Sequence, residues 1–269
     1  MKYIVVNDAG ELNLHSQAIF LLFQESFGFS LDKRLWEWAY IENPNGNPVV
    51  ALAYDDKKLV GHYAAIPFPL SNGKGECRNA FLSMTTMVHP EYRKYGLFVK
   101  LAEMSYDVLR EKAADLVCGF PNSMSAPGFK KRLSWELDEP RHLIKTTKDI
   151  LLKNISEIPV LTNSDGAFCL DIKRKKVKEW RFSKPGMSYD VKEGLVTKSF
   201  GDEIDVIFLE SLEWLDRLPE GKNINILVPD SSLELKKFSY DTYLFGFIPL
   251  NMRSANDCFV QQMFMSDVF

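Results

Sequence analysis

Ser83-Met-Thr-Thr-Met-Val-His-Pro-Glu-Tyr-Arg-Lys-Tyr-Gly-Leu-Phe98 is the stretch that decides how this chain folds. An apolar strand ends at His89-Pro90, and a tight basic turn leads straight into a helix whose apolar stripe is Leu97, Leu101, Met104 and Val108. A helix N-terminus presents unpaired N–H groups and partial positive charge, which suit a phosphate or pyrophosphate. Gly96 lets backbone approach such a group without a Cβ in the way, and Arg93 and Lys94 add full charges at the rim. Taken alone this is an anion site of a common kind, since many strand–turn–helix units carry a basic residue in a solvated turn.

Working outward, Lys2 to Val6 reads as a strand. His15 to Phe27 reads as a helix with Ile19, Leu22, Phe23 and Phe27 on one face and Gly28 at its end. Leu31 to Tyr40 is expected to form a second helix with Ser30 as N-cap. Within it Trp36 and Tyr40 share a face, as core or as the wall of an acceptor pocket. After the turn Asn43 to Pro48, a hairpin is predicted from Val49 to Tyr54 and Leu59 to Phe68, then a strand from Glu76 to Val88. Beyond the basic turn come the helix from Gly96 to Lys112, an interior strand Leu116 to Phe120, a helix Ser125 to Leu133 and extended chain from Trp135. Val260 to Met265 reads as a strand close to the chain end.

A weaker copy of this order follows. Trp38-Ala-Tyr40, a Pro-rich turn and a hairpin are matched by Trp180-Arg-Phe182, Pro185-Gly186 and a hairpin from Gly194 to Leu209. Pro121-Asn122 is matched by Pro229-Asp230. The tryptophans are 142 residues apart and the prolines 108, as a second copy with a shorter middle requires. That copy has no Arg-x-x-Gly, so it cannot repeat the phosphate turn.

Composition narrows the function. With 33 basic and 36 acidic residues the net charge is −3, which argues against a general nucleic-acid binder. Hydrophobic residues at 46% supply a packed core. Cys77, Cys118, Cys169 and Cys258 stand singly, with neither the clustering of a zinc site nor the spacing of a disulfide framework, so no metal is expected. MKYIVVNDAG lacks the long apolar core of a secretory leader, and the longest apolar run, Ala18 to Phe23, is too short to span a bilayer. The expectation is a cytoplasmic protein with no membrane contact.

With its context, the opening stretch resembles motif A of the GNAT-type N-acetyltransferases, whose signature is Arg/Gln-x-x-Gly-x-Gly/Ala after a strand and at a helix start. Val88-His89-Pro90 and Tyr92-Arg93 match that family's approach to the turn, and Phe120-Pro121-Asn122 followed by Phe129 to Trp135 matches a second landmark. The resemblance covers residues 1 to 145, and the second half resembles the tandem-GNAT arrangement, of the type found in bacterial envelope-polysaccharide loci. It implies a mixed α/β (α+β) fold: a central, mostly antiparallel sheet with a splayed parallel pair and flanking helices, duplicated. The division it implies is an acyl-CoA-binding domain over 1–148 and a degenerate GNAT-like domain over 149–269.

The same resemblance implies a function, CoA-dependent N-acyl transfer with acetyl-CoA as the default co-substrate and a small amine, such as an amino sugar, as acceptor. The coenzyme would be held by Met87, Val88, Arg93, Lys94, Tyr95, Gly96, Leu97, Phe98, Asn122 and Phe129. The pantetheine arm would lie in a V between the strands ending at Val88 and Phe120. There an amine attacks the thioester carbonyl, and a backbone N–H stabilises the developing oxyanion. An alkyl amine is mostly protonated at neutral pH, so a base is needed.

Two positions depart from the pattern. Phe98 stands where the motif has Gly or Ala, and Phe129 stands where the family often has a tyrosine that protonates the leaving thiolate. Candidates for the base are Glu25, at the end of the first long helix, and, by resemblance to tandem-GNAT aminoglycoside acetyltransferases, Asp267 or the carboxylate of Phe269. His62 lies on a hairpin strand that could border the cleft, whereas His89 reads as part of the turn into Pro90. Two other readings stay open: a non-catalytic acyl-CoA-binding module, and an aminoacyl-tRNA-dependent peptidyl transferase of related tandem fold. The latter predicts a basic groove that the near-neutral charge does not favour.

Overall fold

The computed structural model describes residues 1–160, 166–251 and 254–266. In chain order the elements of the first half are β1 (Lys2–Val6), α1 (Ala9–Leu14), α2 (Ser16–Phe27), α3 (Lys33–Tyr40), β2 (Val49–Asp55), β3 (Lys58–Pro67), β4 (Leu70–Ser71), β5 (Cys77–Arg78) and β6 (Ala80–Val88). Then come α4 (Leu97–Glu111), β7 (Leu116–Gly119), α5 (Ala126–Arg132), β8 (Glu136–Leu137), β9 (Arg141–Thr146) and α6 (Lys148–Lys153). The second half holds β10 (Cys169–Leu170), α7 (Lys175–Arg181), β11 (Tyr189–Lys192), β12 (Leu195–Phe200), β13 (Glu203–Leu209), β14 (Asn223–Pro229), β15 (Ser239–Tyr243), β16 (Gly246–Pro249) and α8 (Met263–Ser266).

Among the described residues the larger sheet has seven strands in the order β1-β2-β3-β6-β7-β16-β8. All neighbours are antiparallel except β6 and β7, which run parallel over only Ala80↔Leu116 to Leu82↔Cys118. β6 continues for six more residues, so the pair parts and its inner edges open. One face of this sheet carries α2, α3 and much of the second half, in a core that includes Ile19, Leu52, Ile66 and Trp180. The other face carries α4 and α5, around Tyr63, Leu97, Leu101, Phe129 and Trp135. A buried chain from the Trp135 indole N–H to the Tyr106 hydroxyl (2.9 Å) and on to the Tyr63 hydroxyl (2.9 Å) ties α4 to β3.

A second sheet, β11-β12-β13-β14-β9-β15, repeats the pattern: antiparallel strands, then a parallel pair, β13 and β14, joined over Glu203↔Asn223 to Asp205↔Asn225. The two sheets exchange strands. β8 lies in the first sheet and the following β9 in the second; β15 lies in the second and the following β16 in the first. Thus Gly246–Pro249, far beyond residue 148, fills the slot beside β7.

Local chemistry moves some boundaries. Ahead of α2, Asp8 caps an additional short helix, α1, by accepting from the Glu11 N–H. The cap of α3 is Asp32, which accepts from Leu35 N–H, rather than Ser30. The predicted strand Glu76 to Val88 breaks at Asn79, whose N–H is taken by the Asp115 carboxylate. The last three residues of the expected strand Val260 to Met265, with Ser266, instead form the short helix α8, whose Phe264 packs edge-on against Phe208. Short apolar runs do not distinguish strand from buried helix, and tertiary packing decided this one.

Candidate functional site

The basic turn is a 3₁₀ helix over Pro90–Tyr95, with His89 capping it through Nδ1 to the Glu91 N–H. Gly96 is not the first residue of α4 but its cap, in the left-handed region at φ 68°. A Cβ there would meet no atom within 4 Å, so the positive φ, not crowding, is what favours glycine. The N–H groups of Leu97, Phe98 and Val99 precede the first intrahelical bond, from Lys100 N–H to Gly96 C=O. Arg93, Lys94 and Tyr95 are exposed around this helix end, while the Leu97 side chain is buried and leaves only its backbone to a ligand. Among the described residues no carboxylate lies within ion-pair distance of Arg93 or Lys94.

Two clefts lie beyond it, and the first reaches α4 at Phe98, two residues past Gly96. The first, of about 440 Å³, runs between α4 and α5 and is lined by Thr86, Phe98, Met124, Gly128, Lys131 and Arg132, among others. Phe98 turns away from the basic turn and packs on α5, edge-on to Phe129 at 5.1 Å. Gly128 makes that possible, since a Cβ there would sit 3.3 Å from the Phe98 ring. The bulky residue in the motif therefore becomes a cleft wall.

The second cleft, of about 220 Å³, is the gap where β6 and β7 part. It passes through the sheet: Met84 belongs to the core on one face, Phe129 and Trp135 to the core on the other. Phe27 stands at one mouth, 47% exposed. Thr86, Ser125 and Phe129 line both clefts, so the two are neighbours separated by these side chains. None of the residues lining the gap is charged.

The backbone of the gap is shaped at Thr85. Between His62/Ala64 on β3 and Met87/Met84 on β6 the register slips, and Thr85 takes a left-handed conformation at φ 50°. The buried His62 braces this bulge, its Nδ1 lying 2.8 Å from the Thr85 carbonyl. That geometry makes Nδ1 the donor, and burial pushes the His62 pKa down to about 4, keeping the ring neutral.

Other expected residues fall as follows. Met87 is buried and Val88 half-buried, and the gap itself is lined by the four residues just before them, Ser83 to Thr86. Asn122 lines the gap, but its side-chain oxygen accepts from Met124 and Ser125 N–H and so holds the turn into α5. Glu25 bonds Lys58 at 3.1 Å and lies 3.5 Å from His89, outside the lining of both clefts. Trp36 and Tyr40 stack at 5.6 Å inside the core. Asp267 and Phe269 lie outside the described residues. Sequence reasoning missed Thr85, Thr86, Gly128, Lys131 and Arg132. The run Lys130-Lys131-Arg132, one helix after Asn122, was the available signal for the last two.

In the second parallel pair the equivalent gap is closed. Its cavity is about 10 Å³, lined by Val206, Leu209, Ile226 and Gln262 among others. The Gln262 amide accepts from Leu209 N–H at 2.9 Å and donates to Leu209 C=O at 2.8 Å, taking the place of a neighbouring strand.

Comparison with known proteins agrees with this geometry. Residues 14–137 match the family model of the acetyltransferase (GNAT) domain. The GCN5-related N-acetyltransferase from Kribbella flavida superposes with a TM-score of 0.63 at 13% identity, covering 93% of this chain and 72% of that one. That from Anabaena variabilis ATCC 29413 gives 0.62 at 11% identity, covering 93% and 73%. Eis1 from Mycobacterium abscessus gives 0.60 at 11% identity, covering 95% and 75%. No protein of curated function matches the sequence. The chain has the GNAT fold.

Proposed function

We propose that the protein is an acyl-CoA-dependent N-acyltransferase, with acetyl-CoA as co-substrate and a small amine as acceptor. The observation that carries this reading is the pair of clefts that share Thr86, Ser125 and Phe129, one reaching α4 at Phe98, two residues past Gly96, and the other filling the gap between β6 and β7. The residues present fit the coenzyme. Free N–H groups of α4 with Arg93 and Lys94 suit the pyrophosphate, and Lys131 and Arg132 give the cleft a second pair of cations. The unpaired inner edge of β6 from Ser83 to Val88 suits an amide-bearing arm. When bound, the coenzyme supplies an activated acyl group; the protein orients it and excludes water.

The acceptor would enter the gap from the Phe27 mouth. Its lining offers hydroxyl and amide groups, at Ser83, Thr85 and Asn122, beside aromatic rings and no carboxylate. Such a lining accommodates an uncharged or singly charged amine, amino sugars included, and gives a polycation nothing to pair with. The second half would be a degenerate copy whose own gap is sealed by Gln262.

Calorimetric titration with acetyl-CoA tests the reading. Wild-type protein should bind one equivalent, and the Arg93→Ala/Gly96→Glu variant should not. Equal affinity of the two would remove the site assignment. The absence of an imidazole or carboxylate from the lining of both clefts, among the described residues, favours a second reading, a non-catalytic acyl-CoA-binding module. Release of free CoA with any member of an amine panel excludes it.

A further inference from the structure

We propose that the cavity between the start of α7 and the proline corner of the first half binds a diphosphate ester, a small molecule carrying a pyrophosphate on a ring-bearing body. The cavity holds about 530 Å³, more than either cleft at α5, and shares no lining residue with them. Its walls divide by chemistry. The first half supplies Pro44, Pro67 and Pro69, and the second supplies Arg174, Lys175 and Lys176. No carboxylate is among the lining residues.

The cations belong to Lys173-Arg-Lys-Lys176, four consecutive basic residues in a chain of net charge −3. Such a run is ordinarily a solvated face, but here the fold seats it against a concave wall. β10 pairs with β4, and the Asp171 N–H donates to the Pro69 carbonyl at 2.9 Å, which places the run beside the prolines. Arg174 is oriented by Asp171, whose buried carboxylate accepts from its Nε at 2.7 Å. Its Nη2 lies 3.7 Å from the sulfur of Cys77, a weak acceptor on the cavity wall that a phosphate oxygen would outcompete. Among the described residues no carboxylate lies within ion-pair distance of Lys176, and Lys175 meets the exposed Glu179 at 3.7 Å, a pair worth little. Arg78 also lines the cavity, but its Nε and Nη2 are both taken by Asp257 at 2.7 Å, so it serves as wall.

The ligand class follows from these two walls. Cations gathered around one concavity repel one another, and a cleft of one sign draws in the opposite charge. A pyrophosphate matches that charge and accepts from guanidinium and ammonium donors alike. The prolines form a rigid apolar surface on which a base or sugar ring can pack without ordering a flexible side chain. The volume is that of a site for a small organic molecule, whereas an inorganic anion would leave the proline wall unused.

Calorimetry with UDP, pyrophosphate and uridine tests this, in the Arg93→Ala/Gly96→Glu background so that the basic turn cannot hold the phosphates. UDP should bind with a submillimolar Kd, pyrophosphate more weakly and uridine not at all, and added salt should weaken the binding. Lys175 and Lys176 are exposed, so Lys175→Glu/Lys176→Glu should leave the melting temperature unchanged while lowering UDP affinity at least about tenfold. No UDP binding in that background, or equal UDP affinity with and without the lysine reversal, overturns the proposal. Pyrophosphate binding as tightly as UDP overturns it too, by showing a site for an adventitious ion only. None of these results bears on acetyl-CoA binding by the wild type, so the coenzyme reading stands or falls separately.

Discussion

Trp38 and Trp180 each donate their indole N–H to the other's main-chain carbonyl, at 2.8 and 2.9 Å, with the rings stacked 4.8 Å apart and 13° from parallel. The contact is self-complementary, as in a twofold dimer, yet both partners belong to one chain. The two positions paired by the sequence repeat thus meet face to face, and both rings lie in the same core.

Trp38→Phe would keep most of the ring area but remove one donor of the Trp180 carbonyl, which also accepts from the Ser183 N–H and hydroxyl. Destabilisation of about 0.5–1.5 kcal/mol, the net worth of one such bond, is expected in urea unfolding. The double variant Trp38→Phe/Trp180→Phe should cost less than the two single changes added together, since each removes one half of the same arrangement. Strict additivity would show that the two bonds act independently.

Gly128 sets the width of the cleft between α4 and α5. Gly128→Leu replaces the poorest non-proline helix former inside α5, a local gain of up to about 1 kcal/mol. Its side chain would project toward Phe98 and fill part of the 440 Å³ space. Acetyl-CoA affinity should fall at least about tenfold while the melting temperature holds or rises, a combination that general damage to the fold would not give.

His62 makes stability depend on pH in a definite direction. Its pKa is about 4 in the fold, against 6.5 for an unperturbed histidine, because burial penalises the charged ring. Above pH 6.5 the ring is neutral in both states and contributes no pH dependence. As pH falls below 6.5 the unfolded chain takes up the proton first, and stability drops by up to about 1.4 kcal/mol per pH unit until the folded pKa is reached. The difference in unfolding free energy between wild type and His62→Asn should therefore change between pH 6.5 and 4 and be flat above. A constant difference across that window would contradict the burial argument.

Gln262 seals the second gap with two bonds to one residue. Gln262→Leu would fill the same space but orphan the Leu209 N–H and C=O, and should destabilise by about 1–3 kcal/mol for each group that finds no water. Acetyl-CoA affinity should not change, because the second half lacks the basic turn. Weaker coenzyme binding in this variant would tie the second gap to the first.

The basic turn, the element order around it and the pairing of Trp38 with Trp180 were legible because each rests on a local or periodic signal. Arg93 to Gly96 is a contiguous signal, helix stripes recur every three to four residues, and the 142-residue spacing of Trp38 and Trp180 is a property of the string. The helix caps and the end near Met265 were misread because several polar residues can cap one helix and a short apolar run suits either strand or helix. Thr86 and Gly128 carried no signal at all, since a threonine in a strand and a glycine near a helix are ordinary. Their meaning comes from position in space.

By itself, then, the sequence determined that a strand delivers the chain into a basic helix start, with strands and helices alternating around it. Only the tertiary structure decided how they combine. β9 and β16 cross into each other's sheets, Phe98 becomes a wall because Gly128 lies opposite, and one parallel pair stays open while the other is filled by Gln262. The physical reason is that backbone hydrogen bonds and side-chain volume are satisfied between residues remote in sequence. Which remote group satisfies them is fixed when the core packs.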